Sequence, residues 1–130
     1  MKIARVLLVD DDPNVRLVSQ ISLEDVGGWE VLTAESGQEA LEVAARDKPD
    51  VILLDVMMPV MDGPTTFGEL RKRPGTHDIP VIFLTAKVQS DEVERFQQLG
   101  AIGVLAKPFD PMKLASDIEA LVNAASRNRA

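Results

Sequence analysis

Four short apolar runs, Val6–Val9, Val51–Leu54, Val81–Leu84 and Ile102–Leu105, most constrain what this 130-residue chain can fold into. A strand made from an uninterrupted apolar run must be covered on both faces, which is the situation in a parallel sheet. A fifth, weaker strand is expected over Trp29–Ala34, where apolar and polar residues mix as on a sheet edge. Stretches of helical spacing separate the runs. Leu17, Val18 and Ile21 share one helical face before Gly27-Gly28, and Leu41, Ala44 and Ala45 share another after Ser36-Gly37-Gln38-Glu39, which has the form of a capping box. Phe67 and Leu70 mark a short helix after Asp62-Gly63, and Val93 and Phe96 a further one after Ser90, its expected N-cap. Leu114, Ile118, Leu121, Val122 and Ala125 form the clearest apolar stripe, opened by Asp110-Pro111. Strands alternating with helices imply one α/β domain, a parallel sheet with right-handed crossovers and helices on both faces. The domain is expected over residues 1–126, with a polar tail at 127–130.

Composition narrows the function. The 14 basic and 21 acidic side chains leave a net charge of −7, which disfavours binding to a nucleic-acid backbone. With no cysteine, disulfides, thiolate metal sites and cysteine nucleophiles are excluded. The apolar run near the N-terminus is too short for a secretory signal or a membrane span, so a cytoplasmic protein is expected, with no membrane partner.

In open parallel sheets, functional groups gather beyond the carboxyl ends of the strands. Here the first strand runs into Asp10-Asp11-Asp12, the third into Asp55, the fourth into Thr85-Ala86 and the fifth into Lys107-Pro108. Each has an ordinary account when taken singly. Asp12 can cap the helix that opens at Pro13, Thr85 can close a strand, and Lys107 can be a solvated loop lysine. Their joint placement on one sheet edge has no such account. Several carboxylates in one crevice repel one another and hold a hard cation such as Mg²⁺, which takes oxygen ligands. Lysine suits a carboxylate or a phosphoryl oxygen, and a carboxylate can itself attack phosphorus. The set reads as a Mg²⁺-dependent aspartate that accepts a phosphoryl group.

Four segments, Leu7 to Asp12, Leu53 to Gly63, Phe83 to Ala86 and Leu105 to Phe109, resemble the receiver domain of bacterial two-component response regulators. The resemblance runs through nearly the whole chain. It implies a flavodoxin-like, doubly wound five-stranded sheet of order 2-1-3-4-5. It makes Asp55 the phosphoacceptor, with Asp10, Asp11, Asp55 and the backbone carbonyl of Met57 as Mg²⁺ ligands. Thr85 would hydrogen-bond the phosphoryl group, Lys107 would pair with it, and the Lys107–Pro108 peptide would be cis. The implied donor is a histidine kinase or a histidine phosphotransfer protein. Output would pass to an unidentified protein through protein–protein contacts, from a single-domain regulator or a receiver cut from a longer chain. The chain would accept phosphate on itself and turn over no external substrate.

One position departs from the family pattern. The aromatic residue usual three places before the lysine is Val104 here, so the switch implied for Thr85 and residue 104 has no ring to rotate. Met57 and Lys87, at positions that tune phosphoryl lifetime in the family, offer no acid or carboxamide to hold a water, and slow autodephosphorylation is expected. Val104 gives some weight to an alternative, a pseudo-receiver that binds partners without phosphate. An aspartate-nucleophile phosphatase fits Asp10-Asp11-Asp12 but leaves Asp55 without a role. His77, the only histidine, sits in a turn-like stretch with no serine or cysteine nucleophile motif and is expected to be solvated.

Overall fold

The computed structural model describes residues 2–86 and 89–128, in which strands and helices alternate throughout. The strands are β1 (Arg5–Val9), β2 (Glu30–Ala34), β3 (Val51–Asp55), β4 (Val81–Thr85) and β5 (Gly103–Ala106). The helices are α1 (Pro13–Asp25), α2 (Gly37–Asp47), α3 (Gly63–Lys72), α4 (Ser90–Leu99) and α5 (Leu114–Asn128). All strand pairs are parallel, in the order β2-β1-β3-β4-β5. This is the doubly wound arrangement of order 2-1-3-4-5.

Alternation along each strand divides the core in two. Leu7, Val9, Ile52, Leu54, Val81 and Phe83 pack with residues of α2, α3 and α4, including Leu41, Leu70 and Phe96. Val6, Leu8, Val51, Leu53, Ile82 and Leu84 point the other way, toward Leu23 of α1 and Leu114, Ile118 and Val122 of α5. On the first face, Phe83 links Phe67 and Phe96, with ring centroids 5.7 and 4.7 Å away.

Caps explain where several helices begin. Asp12, Ser36 and Asp62 accept the backbone N–H groups of Asn14, Glu39 and Thr65, satisfying donors left over at a helix start. The helix expected from Asp110-Pro111 starts later. Asp110 takes the N–H of Met112 on its side chain and that of Leu114 on its carbonyl, so a single turn precedes Leu114. Ser90 is the first residue of α4 rather than its cap; Gln89 occupies that place without a side-chain cap bond. The fifth strand begins at Gly103, one residue after the expected Ile102.

The expected packing face of α1 is wrong. Leu17, Val18 and Ile21 are 57, 44 and 49% exposed, and α1 buries Ser19, Ser22 and Leu23 instead. Two small side chains let α1 lie close to its neighbours, and the Ser22 hydroxyl donates to the Pro111 carbonyl. Apolar content therefore misidentified the packed side of a helix that packs through serines. On α2, Ala45 is exposed and Val43 takes the expected inward place. No helix among the described residues is long and apolar enough to cross a membrane.

Candidate functional site

The polar groups at the strand ends meet where the order of strands reverses, between β1 and β3. Asp55 and Thr85 are the last residues of β3 and β4, and Asp10 and Lys107 directly follow β1 and β5. Backbone bonds extend the sheet past these ends: Asp10 N–H donates to Ala34 O, Val56 N–H to Leu84 O, and Lys107 N–H to Thr85 O. The Lys107–Pro108 peptide is cis. Helix α3 starts against the site, and a Cβ on Gly63 would collide with the backbone of Asp55 and Val56. Only glycine fits at that close approach.

The Lys107 ammonium reaches across β4 and lies 2.8 Å from Asp10 Oδ2 and 2.9 Å from Asp55 Oδ1. Both carboxylates are almost fully buried, at 1 and 4% side-chain exposure. Asp10 Oδ1 accepts the N–H of Asp12 at 2.9 Å. Asp11 stands at the exposed rim, and its carboxylate has no hydrogen bond or ion pair among the described residues. One carboxylate oxygen from each of Asp10, Asp11 and Asp55 lies within 4.8 Å of the others.

Burial pushes the Asp55 carboxyl above its usual range, opposed by the Lys107 hydrogen bond and reinforced by the Asp10 charge. Burial acts to lower the Lys107 ammonium, but hydrogen bonds to Asp10 and Asp55 outweigh it and hold the lysine above its usual value. One ammonium thus pairs with two desolvated carboxylates, with Asp11 at the rim beside them. The donors are all oxygen, with no imidazole or thiolate, which matches a hard divalent ion of the Mg²⁺ type.

Among the expected site residues, Asp10, Asp11, Asp55 and Lys107 converge directly. Thr85 is buried beside them, at 6% exposure. Met57 is 77% exposed, and its backbone N–H acts to lower the Asp55 carboxyl, less than the Lys107 hydrogen bond does. Val104 is half-buried and packs against the core cluster that contains Phe83 and Phe96, on the α4 side of the sheet. Lys87 lies outside the described residues. His77 is exposed, and its ring bonds the nearby Pro74 carbonyl. Sequence reasoning missed Arg16, whose guanidinium donates to the Asp10 carbonyl at 2.8 Å. The available signal was a cation near the start of a helix, where the backbone dipole does not favour one.

The family model described as the response regulator receiver domain matches residues 6–119. The response regulator PleD of Caulobacter vibrioides is 43% identical over 120 residues, 91% of this chain and 26% of PleD. The DNA-binding dual master transcriptional regulator RpaA of Synechocystis sp. is 38% identical over 124 residues, 95% of this chain and 51% of RpaA. This chain therefore spans about half or less of the length of these two relatives. Among solved structures, the Vibrio cholerae chemotaxis protein CheY4 superposes with a TM-score of 0.84 at 35% identity, covering 92% of this chain and 99% of CheY4.

Proposed function

Because this chain belongs to the response regulator receiver family, we propose that it is a phosphorelay switch that takes a phosphoryl group from a phosphohistidine protein onto Asp55. The observation that carries this reading is the crevice itself: Lys107 bridges buried Asp10 and Asp55, with Asp11 at the rim. An Asp55 oxygen attacks phosphorus, the P–O bond forms as the donor's P–N bond breaks, and the electron pair leaves on the imidazole. Asp10, Asp11, Asp55 and the Met57 carbonyl would hold Mg²⁺, which supplies charge neutralisation on the transferring oxygens. Lys107 stabilises the phosphoryl charge from the other side, and Thr85 donates a hydrogen bond to it. The complete acidic and lysine set favours this reading over phosphate-independent binding.

Mg²⁺ binding is expected to stabilise the folded chain, since the acidic cluster is assembled only there. At a Mg²⁺ concentration ten times the dissociation constant, linkage gives about 1.4 kcal/mol, a rise in melting temperature of roughly 5 °C. Differential scanning fluorimetry with Mg²⁺ against chelator checks this, and an unchanged Tm at millimolar Mg²⁺ refutes the metal site.

The donor must land where its phosphohistidine can reach Asp55. An apolar groove of about 430 Å³, lined by Val15, Val18, Pro108 and Phe109, opens beside Lys107. A second groove of about 370 Å³ continues it along Ile21, Val26 and Met112. This continuity supports the outward face of α1 as the donor's landing surface. Ile21→Glu should slow phosphotransfer from the donor protein about tenfold, the effect of losing about 1.4 kcal/mol at a contact of middling strength. Labelling by acetyl phosphate should remain at the wild-type rate, because that small donor needs no such surface.

A further inference from the structure

We infer that Arg16 is a positioning residue for the metal-binding loop, acting through the peptide that joins Asp10 to Asp11. This inference rests on the Mg²⁺ reading of the crevice and adds a residue to it.

Asp10 is held at each of its polar atoms. Its N–H donates to Ala34 O, Oδ1 accepts from Asp12 N–H, Oδ2 takes the Lys107 ammonium, and its carbonyl accepts from Arg16 Nη1 at 2.8 Å. Asp11 is different: its carboxylate has no hydrogen bond or ion pair among the described residues. Its direction is therefore set by the backbone on either side. Asp12 caps α1 on one side. On the other side, a peptide is planar, so fixing the Asp10 carbonyl oxygen fixes the plane that carries the Asp11 N–H. Arg16 is the group that fixes that oxygen.

The guanidinium is itself oriented. Nη2 lies 3.5 Å from Glu35 Oε2, just past the end of β2, and the Arg16 side chain is 20% exposed against 65% for Glu35. Arg16 thus spans from α1, across the Asp10 peptide, to the loop that follows β2. The exposed Glu35 contact is a weak tether, whereas the bond to the Asp10 carbonyl is charge-assisted and part-buried. An arginine serves here because its planar fork can hold two acceptors at once.

Two accounts of Arg16 give opposite signs for Mg²⁺ affinity. If Arg16 acted only as a nearby positive charge, removing it would make the crevice more negative and tighten Mg²⁺ binding. If it positions Asp11, removing it weakens binding, as loss of groups that orient metal ligands commonly does by about 10–100-fold.

Isothermal titration calorimetry with MgCl₂ on the full chain separates these accounts. Arg16→Met and Arg16→Gln are each expected to bind Mg²⁺ about tenfold more weakly than wild type. Arg16→Lys, which keeps a charged donor for the Asp10 carbonyl, should recover most of the loss. The two truncations back each other, so whichever melts cooperatively without metal decides the matter. Wild-type or tighter affinity in a folded truncation overturns the inference, as does Arg16→Lys binding no better than Arg16→Met. Failure of the wild-type protein to bind Mg²⁺ removes the metal reading on which the inference rests, a result separate from failure of the variants to differ.

Discussion

Asparagine at position 55 is expected to take up no phosphoryl group from either a phosphohistidine protein or acetyl phosphate. The amide keeps the shape of the carboxyl but offers no anionic oxygen to attack phosphorus. Removing a nucleophile costs on the order of 10⁶-fold where catalysis depends on one, so base- and hydroxylamine-labile ³²P label on this chain should fall to background. Wild-type labelling of Asp55→Asn would refute Asp55 as the acceptor. The same variant should melt at a higher temperature than wild type at neutral pH in chelator. Burial and the Asp10 charge raise the Asp55 carboxyl in the folded state. A raised group contributes stability that is full below its unfolded pKa, near 3.8, and is lost as pH rises through the folded value. At neutral pH ionised Asp55 is therefore a net cost, which the neutral amide removes. A Tm advantage for Asp55→Asn that narrows as pH falls toward 4 is the expected signature.

Lys107→Met has the largest expected effect on stability. Lys107 is the cation between two nearly buried carboxylates. Breaking a buried ion pair by removing one partner typically costs about 3–5 kcal/mol, because the remaining charge is left uncompensated. For a chain this long that is a fall of roughly 10–20 °C in Tm without metal. Mg²⁺ should return part of the loss by placing a cation in the same crevice. Lowering the pH should also narrow the gap, since protonating Asp55 removes one of the two uncompensated charges. In wild type, Lys107 lies above its usual 10.5, so its stabilisation is present below that pH and lost as pH rises through the folded value. Thermal melts of both proteins across pH, with Mg²⁺ and with chelator, check all of this. A Tm loss under 2 °C would show that Lys107 does not offset the two carboxylates.

These effects concentrate on groups whose presence was legible along the chain. Asp10, Asp55, Thr85 and Lys107 each stand at the end of an apolar run, and in a parallel sheet every such end lies on one edge. The caps at Asp12 and Ser36 were legible for a similarly local reason: a short oxygen-bearing side chain before a helix answers the unpaired N–H groups of that helix.

What was not legible depended on distant partners. Leu17, Val18 and Ile21 form as good an apolar triple as many buried ones. Which side of α1 packs is decided by the fit of Ser19, Ser22 and Leu23 against neighbours far along the chain, including Pro111. The start of α5 shifted because the Asp110 carbonyl and carboxylate are satisfied by a separate turn before it. Arg16 was missed because its partner is a backbone carbonyl, and no residue type marks a carbonyl that needs a donor.

The sequence by itself determined the alternation of buried strands and helices, the α/β class and the identity of the acidic, hydroxyl and ammonium groups at the strand ends. Those follow from periodicity and side-chain chemistry, which are properties of neighbouring residues. Only the tertiary structure decided that Lys107 reaches both Asp10 and Asp55, that Asp11 remains at the rim, and that α1 turns its apolar side outward next to the crevice. Each of those depends on distances between residues up to 97 positions apart. Such distances are fixed by sheet order and helix packing rather than by local pattern.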